Sequence, residues 1–233
     1  MVPLELDDFI FFIDKFFFER ISIFSKSNIF YKFFYYEDVE RFFRFITKFG
    51  EGYFELILIV SLFLFILFDK NKFGGLKKYI NGIFFTLLST QIVVNILKLL
   101  FGRARPRVTI NPEKFYGILG LIKNNVLFND GYASFPSGHT MTVWGTVWIL
   151  CFFIKNKFIK AVLFILGILV GVSRIYLGYH WSTDVIASVI ISYFIAKFVY
   201  IKVILKKPIL LWKLPIIREI VLKKNKVKLE DLL

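Results

Sequence analysis

Cysteine is almost missing from this chain. Cys151 is the only one in 233 residues and lies in an apolar run, so no intrachain disulfide is available. Histidine is nearly as scarce, at two, and few acidic residues stand near either. That leaves too few ligands for a zinc or magnesium shell, so no metal and no cofactor are expected. Charge is thin as well, at 21% of residues against 57% hydrophobic. A water-soluble domain of this length cannot hide so much apolar surface. Acid is the scarcer sign, with 17 Asp and Glu against 31 Lys and Arg, a net charge of +14. A basic excess can mark a nucleic-acid binder, but here it falls in short segments beside apolar runs. Bilayer topology and anionic headgroups produce that pattern, so membrane lipid is the expected partner and nucleic acid is not. No basic cluster precedes an apolar stretch near the start, where residues 1–14 carry Glu5, Asp7, Asp8 and Asp14. This argues against a cleaved signal peptide.

What is abundant is long apolar sequence. A helix needs about 20 apolar residues to cross a hydrocarbon core of about 30 Å. Five segments qualify, near 53–68, 80–100, 140–154, 158–172 and 185–204, the third and fourth somewhat short. The expected fold class is all-α, a polytopic membrane helix bundle. Lys70, Lys72, Lys77 and Lys78 follow the first span, Lys155, Lys157 and Lys160 the third, and nine basic residues from Lys202 to Lys228 the fifth. By the positive-inside rule all three groups are cytoplasmic. Segments 101–137 and 173–183 then face the other side, which for a cell inner membrane is periplasmic or exterior. Asp14, Lys15, Glu19, Arg20 and Lys26 interrupt the apolar stretches of the first 48 residues. Amphipathic interfacial helices near 4–18 and 37–48 are expected there, with a sixth, imperfect span as the alternative. The division expected is thus an interfacial segment 1–48, a transmembrane core 49–204 and a basic tail 205–233.

Both histidines fall at outer ends of spans beside polar clusters. His139 lies in Phe135-Pro136-Ser137-Gly138-His139-Thr140, and His180 in the run from Ser173-Arg174 to His180-Trp181-Ser182-Thr183-Asp184. A third cluster begins at Lys98 and, after six intervening residues, reaches Arg105-Pro106, with Arg103 and Arg107 alongside. Together these strings resemble the signature of the type 2 phosphatidic acid phosphatase family, which shares its active site with vanadium-dependent haloperoxidases. The pattern is Lys, six residues, Arg-Pro; then Pro-Ser-Gly-His; then Ser-Arg, five residues, His, three residues, Asp. Each position matches, and the likeness covers about residues 50–202. The resemblance implies a membrane phosphatase with His180 as nucleophile forming a phosphohistidine, His139 as general acid, and Asp184 bonded to the far ring nitrogen of His180. It implies a phosphate site of Lys98, Arg105, Ser137, Gly138 and Arg174, with no metal. Relatives of this size act on lipid A 1-phosphate, undecaprenyl pyrophosphate, phosphatidylglycerol phosphate or phosphatidic acid. The extra arginines of 101–106 look most like the lipid A 1-phosphatase branch.

Physical chemistry runs beside that likeness. Phosphoryl transfer spreads negative charge over equatorial oxygens, so preorganised cations carry most of the catalysis. Arg offers bidentate contacts and Lys a point charge. Ser137 can cap the third span and leave helix amides aimed at an anion. Imidazole can attack phosphorus or protonate a leaving oxygen near neutral pH. A spacing of four would set His180 and Asp184 on one helix face, whereas a cap at Ser182 or Thr183 would leave His180 in the loop. Tyr176, Tyr179 and Trp181 read as interfacial belt. Basic residues at span ends are often plain anchors, but Arg103, Arg105, Arg107 and Arg174 crowd the side where Lys and Arg are disfavoured. They call for an anionic partner. A lipid-to-lipid phosphotransferase and a non-catalytic binder of anionic lipid are the competing readings. No obligate protein partner is evident beside the phosphorylated lipid.

Overall fold

The computed structural model describes residues 6–23, 36–68 and 74–205. The basic segments at 70–72 and 206–228, and most of the expected tail 205–233, lie outside the described residues. Among the described residues eight α-helices follow one another: α1 Leu6–Ile21, α2 Tyr36–Thr47, α3 Gly52–Phe68, α4 Lys77–Phe101, α5 Gly117–Lys123, α6 Gly138–Phe153, α7 Lys157–Tyr176 and α8 Ser182–Val199. A π turn, Tyr200–Ile204, extends α8. Among the described residues there is one isolated antiparallel bridge, Arg103 with Phe115, and no strand.

The five segments expected to span form the helices α3, α4, α6, α7 and α8, of which three, or four with a bent pair, have the length and apolarity of a span. Helices α4, α7 and α8 with its π turn are each long and apolar enough to cross a membrane. Helix α3 joins them when taken with α2, from which it is bent by 57°. Helix α6 has 16 residues, about 24 Å of rise, and falls short on its own. Its length is set by the Ser137 cap at one end and the Asn156 cap of α7 at the other. It is the central helix, packed against α8, α4 and α7.

Burial follows the logic of a lipid solvent. Ile186, Ile190, Phe194 and Phe198 form an exposed apolar stripe on α8, while Ser188, Ser192 and Ala196 turn inward. With lipid as apolar as Leu, close backbone approach holds helices together, so small residues line the contacts. Gly145 of α6 shows this directly: a Cβ there would stand 3.0 Å and 3.2 Å from the methyls of Thr86 and Thr90 on α4. Trp144 and Trp148 donate their indole N–H groups to the carbonyls of Gly167 and Val189, tying α6 to α7 and α8.

Alternating direction brings the start of α3, the end of α4, the start of α6, the end of α7 and the start of α8 to one end of the bundle. Lys77, Lys78, Lys155 and Lys157 stand at the opposite end, where Tyr79 meets Phe153. Helix α1 lies across the former end. Its middle residue Asp14 meets Thr183, Phe18 meets Trp181 at 5.5 Å, and Ile23 just beyond it donates to the Tyr176 carbonyl. These contacts, from Asp14 to Ile23, all fall at that one end of the bundle. Helix α2 packs on α7, with Phe43 against Tyr176.

Candidate active site

The chain reverses between α4 and α6 through a long segment whose backbone is pinned at each cationic residue. Gly102 ends α4 in the left-handed conformation, φ 54°, with its N–H on the Lys98 carbonyl. This conformation suits glycine. The Arg105 N–H then reaches the Gly131 carbonyl at 2.8 Å, and the Ser134 N–H reaches that of Arg103 at 2.9 Å. The Trp181 indole N–H reaches the Ala104 carbonyl at 2.9 Å. Phe135-Pro136 is a cis peptide bond. Ser137 caps α6 as expected, accepting from the Thr140 N–H. Gly138 follows with no side chain in the way, so a Cβ there would stand 3.8 Å from Lys98 Nζ.

Three of the expected phosphate ligands are cations, and two lack protein partners for part of their donor set. Arg105 and Arg174 are buried, and the Nε of each has no hydrogen-bond partner among the described residues. Arg174 donates Nη1 to Thr47 Oγ1 at 2.7 Å, and its guanidinium lies 4.3 Å from the Tyr179 ring centre. Arg105 and Arg107 approach the same ring at 5.8 Å and 4.8 Å. Tyr179 is therefore a wall of the site, correcting the belt reading; Tyr176 and Trp181, both fully buried, are not belt residues either. Burial, and then the neighbouring charge of Arg107, lower the pKa of Arg105. Buried like charges gathered on one ring are costly unless an anion joins them.

The histidines differ. His180 precedes the α8 cap residue Trp181, so it belongs to the loop and not to a shared helix face with Asp184. It is 2% exposed, and Nδ1 lies 2.6 Å from the Ser134 carbonyl. A carbonyl can only accept, so Nδ1 carries the proton and Nε2 keeps its lone pair. The hydrogen bond expected from Asp184 thus goes to Ser134 instead: Asp184 Oδ2 stands 3.7 Å from Nδ1. The carboxylate is taken up by others, accepting from Arg103 Nη1, Ser134 Oγ and the Trp181 N–H at 2.5, 2.5 and 2.9 Å. Asp184 faces the imidazole as a charge rather than as a direct acceptor. Burial pushes the His180 pKa down to about 3, against the upward pull of Asp184 and with the cations Arg174 and Arg105 assisting. The ring is neutral.

His139 stands between two cavities. One of about 510 Å³ is lined by Arg44, Thr47, Lys48, Glu51, Arg174 and Tyr179, among others. The second, of about 380 Å³, reaches toward Lys98, Gly138, Gln91 and Asn95. His180, Arg105, Ser137 and Asp184 line neither; they sit behind that surface. Glu51 Oε1 is 4.0 Å from His139 Nε2. The turn before α3 reaches His139 because residue 50 is glycine, where a Cβ would meet the His139 Cβ and carbonyl at 2.8 Å.

Sequence reasoning did not find the role of Arg103. It joined the outer arginines awaiting an anion, but its anions are Asp184 and Asp14 of the chain itself, at 2.5 Å and 2.6 Å. Nothing in local spacing announces a partner 89 residues away. Among the described residues no group of three or more His, Cys, Asp or Glu could hold a metal ion.

A helical bundle with long apolar helices, and with buried, part-satisfied arginines and two histidines gathered at one end, defines a polytopic membrane protein with a candidate site for an anion. The chain belongs to the PAP2 superfamily, whose family model matches residues 79–207. It is 25% identical over 173 residues to the probable lipid phosphate phosphatase 4 of Arabidopsis thaliana, covering 63% of this chain and 54% of the relative. The lipid A 4'-phosphatase of Porphyromonas gingivalis is 28% identical over 158 residues, 64% of each. The chain thus spans about half to two thirds of the length of these curated relatives. Among solved structures, Aquifex aeolicus LpxE superposes with a TM-score of 0.53 at 26% identity, covering 69% of this chain and 84% of that one.

Proposed function

We propose that the chain removes phosphate from a phosphorylated or pyrophosphorylated membrane lipid by way of a phosphohistidine, without a metal. The observation that carries this is the pair of buried guanidinium Nε donors, on Arg105 and Arg174, without a partner among the described residues and gathered around Tyr179 beside two histidines. A phosphate would accept from both. Lys98, the Ser137 hydroxyl and the Gly138 amide complete its expected shell. His180 Nε2 attacks phosphorus as the P–O bond to the lipid breaks, and His139 gives its proton to the departing oxygen. Water then attacks the phosphohistidine, His139 takes the water's proton, and inorganic phosphate leaves. Asp184 stabilises the ring while it is cationic.

Names borne by the relatives, which include a lipid A 1-phosphatase of Rhizobium johnstonii and a phosphatidylglycerophosphatase B of Bacillus subtilis, frame the substrate choice. The panel is lipid A 1-phosphate, undecaprenyl pyrophosphate, phosphatidylglycerol phosphate and phosphatidic acid, with lipid A 1-phosphate preferred. We place the site on the periplasmic or exterior face of an inner membrane, since Lys77, Lys78, Lys155 and Lys157 flank the spans at the other end of the bundle. Purified protein is to be given each lipid and the released phosphate measured. Release from at least one lipid is expected. No release from any, with folded protein, refutes the proposal.

A further inference from the structure

Helix α1 lies outside the stretch matched by the family model, yet it sends a carboxylate into the wall of the site. Asp14 is wholly buried. Its Oδ1 accepts from Ser182 Oγ at 2.6 Å and the Thr183 N–H at 2.7 Å. Its Oδ2 accepts from Arg103 Nη2 and Thr183 Oγ1, each at 2.6 Å. Arg103 in turn spends its whole donor fork inside the protein: Nε and Nη2 on the Pro112 carbonyl, Nη1 on Thr183 Oγ1 and Asp184 Oδ1. No donor is left for substrate. We propose that Asp14 is a positioning residue for phosphoryl transfer, holding Arg103 and the start of α8 so that Asp184 keeps unbalanced negative charge against the His180 ring.

The charge count gives the reason. Asp14, Arg103 and Asp184 form a buried triad of net charge −1, with Asp184 Oδ2 3.7 Å from His180 Nδ1. Remove the charge of Asp14 and Arg103 balances Asp184 alone, leaving zero. The other groups acting on His180 are Arg174 of α7 and Arg105 of the loop after α4, both cations, while His139 of α6 couples to it from across the site. Attack turns the ring into a phosphoimidazolium, and among these groups the triad supplies the charge of opposite sign. Loss of that charge raises the barrier without removing a substrate contact. Capping of α8 by the same carboxylate is a separate, structural service, and asparagine separates the two because its oxygen can still accept from Thr183.

The inference rests on the proposed nucleophile, so the experiment uses a lipid that the full-length parent dephosphorylates; a parent inactive on every lipid removes the underlying proposal instead. With an active parent, Asp14→Asn is expected to lower kcat about tenfold with KM within about twofold, and to move the acid limb of the kcat profile to lower pH. Asp14→Glu restores most of the turnover and the parental limb. Parental kcat and limb in Asp14→Asn overturn the inference. So does equal loss in the Asn and Glu variants with an unmoved limb, the mark of a purely structural role. If Asp14→Asn does not fold, Asp14→Glu decides: most of the parental turnover together with the parental limb supports the inference, and lost turnover with an unmoved limb, or a displaced limb, overturns it.

Discussion

Replacing Arg174 with methionine should separate binding from folding. The side chain is buried at the end of α7, with one bond to Thr47 Oγ1 and an Nε that no described residue satisfies. Losing the charged bond costs about 1.5–3 kcal/mol, while removing an unpartnered buried donor returns about 1–3 kcal/mol. The two nearly cancel. The unliganded variant should therefore melt within a few degrees of the parent. Phosphate behaves differently. An anion at about 100 times its Kd stabilises a folded protein by about 2.7 kcal/mol, and at about 2–4 °C per kcal/mol for a chain of this size the parent should gain roughly 5–10 °C. Arg174→Met should lose most of that gain, and its turnover should fall about 100-fold or more, the usual effect of deleting a donor to a developing oxyanion. The assay is thermal unfolding in detergent with and without phosphate or vanadate, beside phosphate release. A variant that melts normally and still gains the parental shift would refute the anion site drawn around Arg174.

Acid stability follows from His180, whose folded pKa near 3 lies below its ordinary 6.5. Below pH 6.5 the unfolded chain binds a proton that the folded one refuses until about pH 3, so stability falls with pH across that window. His180→Ala should be less acid-sensitive there by denaturant titration, and equal slopes would contradict the burial argument. Activity should persist in excess chelator and vanadate should inhibit; loss in chelator reversed by zinc or magnesium would overturn the metal-free mechanism. A thiol in place of exposed Lys123, near the site end, should react with an impermeant reagent in intact cells, whereas one replacing Lys155 should react only after permeabilisation. The reverse pattern would turn the site toward the cytoplasm.

Legibility in the sequence divides along chain separation. The helices were readable because lipid leaves long apolar runs, and Ser137 declared its cap by position. The three strings of the candidate site were readable because each is local, and the fold brings Lys98, His139, Arg174 and His180 to one end of the bundle. What was not readable depends on distant contacts. The Ser134 carbonyl, and not Asp184, holds His180 Nδ1 because the loop before α6 folds back over the start of α8. Asp14 looked like an interruption of an apolar stretch, and its burial comes from Arg103 and Thr183, far along the chain. Tyr179 looked like an interfacial anchor until three guanidiniums gathered over its ring. Periodicity carries no record of such pairings.

The central claim is that His180 Nε2 takes the phosphoryl group. It is tested most directly by quenching the purified protein during turnover of a lipid carrying radioactive phosphate, then locating the label in the peptide that contains residue 180. An acid-labile, base-stable phosphohistidine on His180, missing from His180→Ala while that variant still folds and inserts, is the predicted result. Label on another residue, or near-parental phosphate release by His180→Ala, would contradict it.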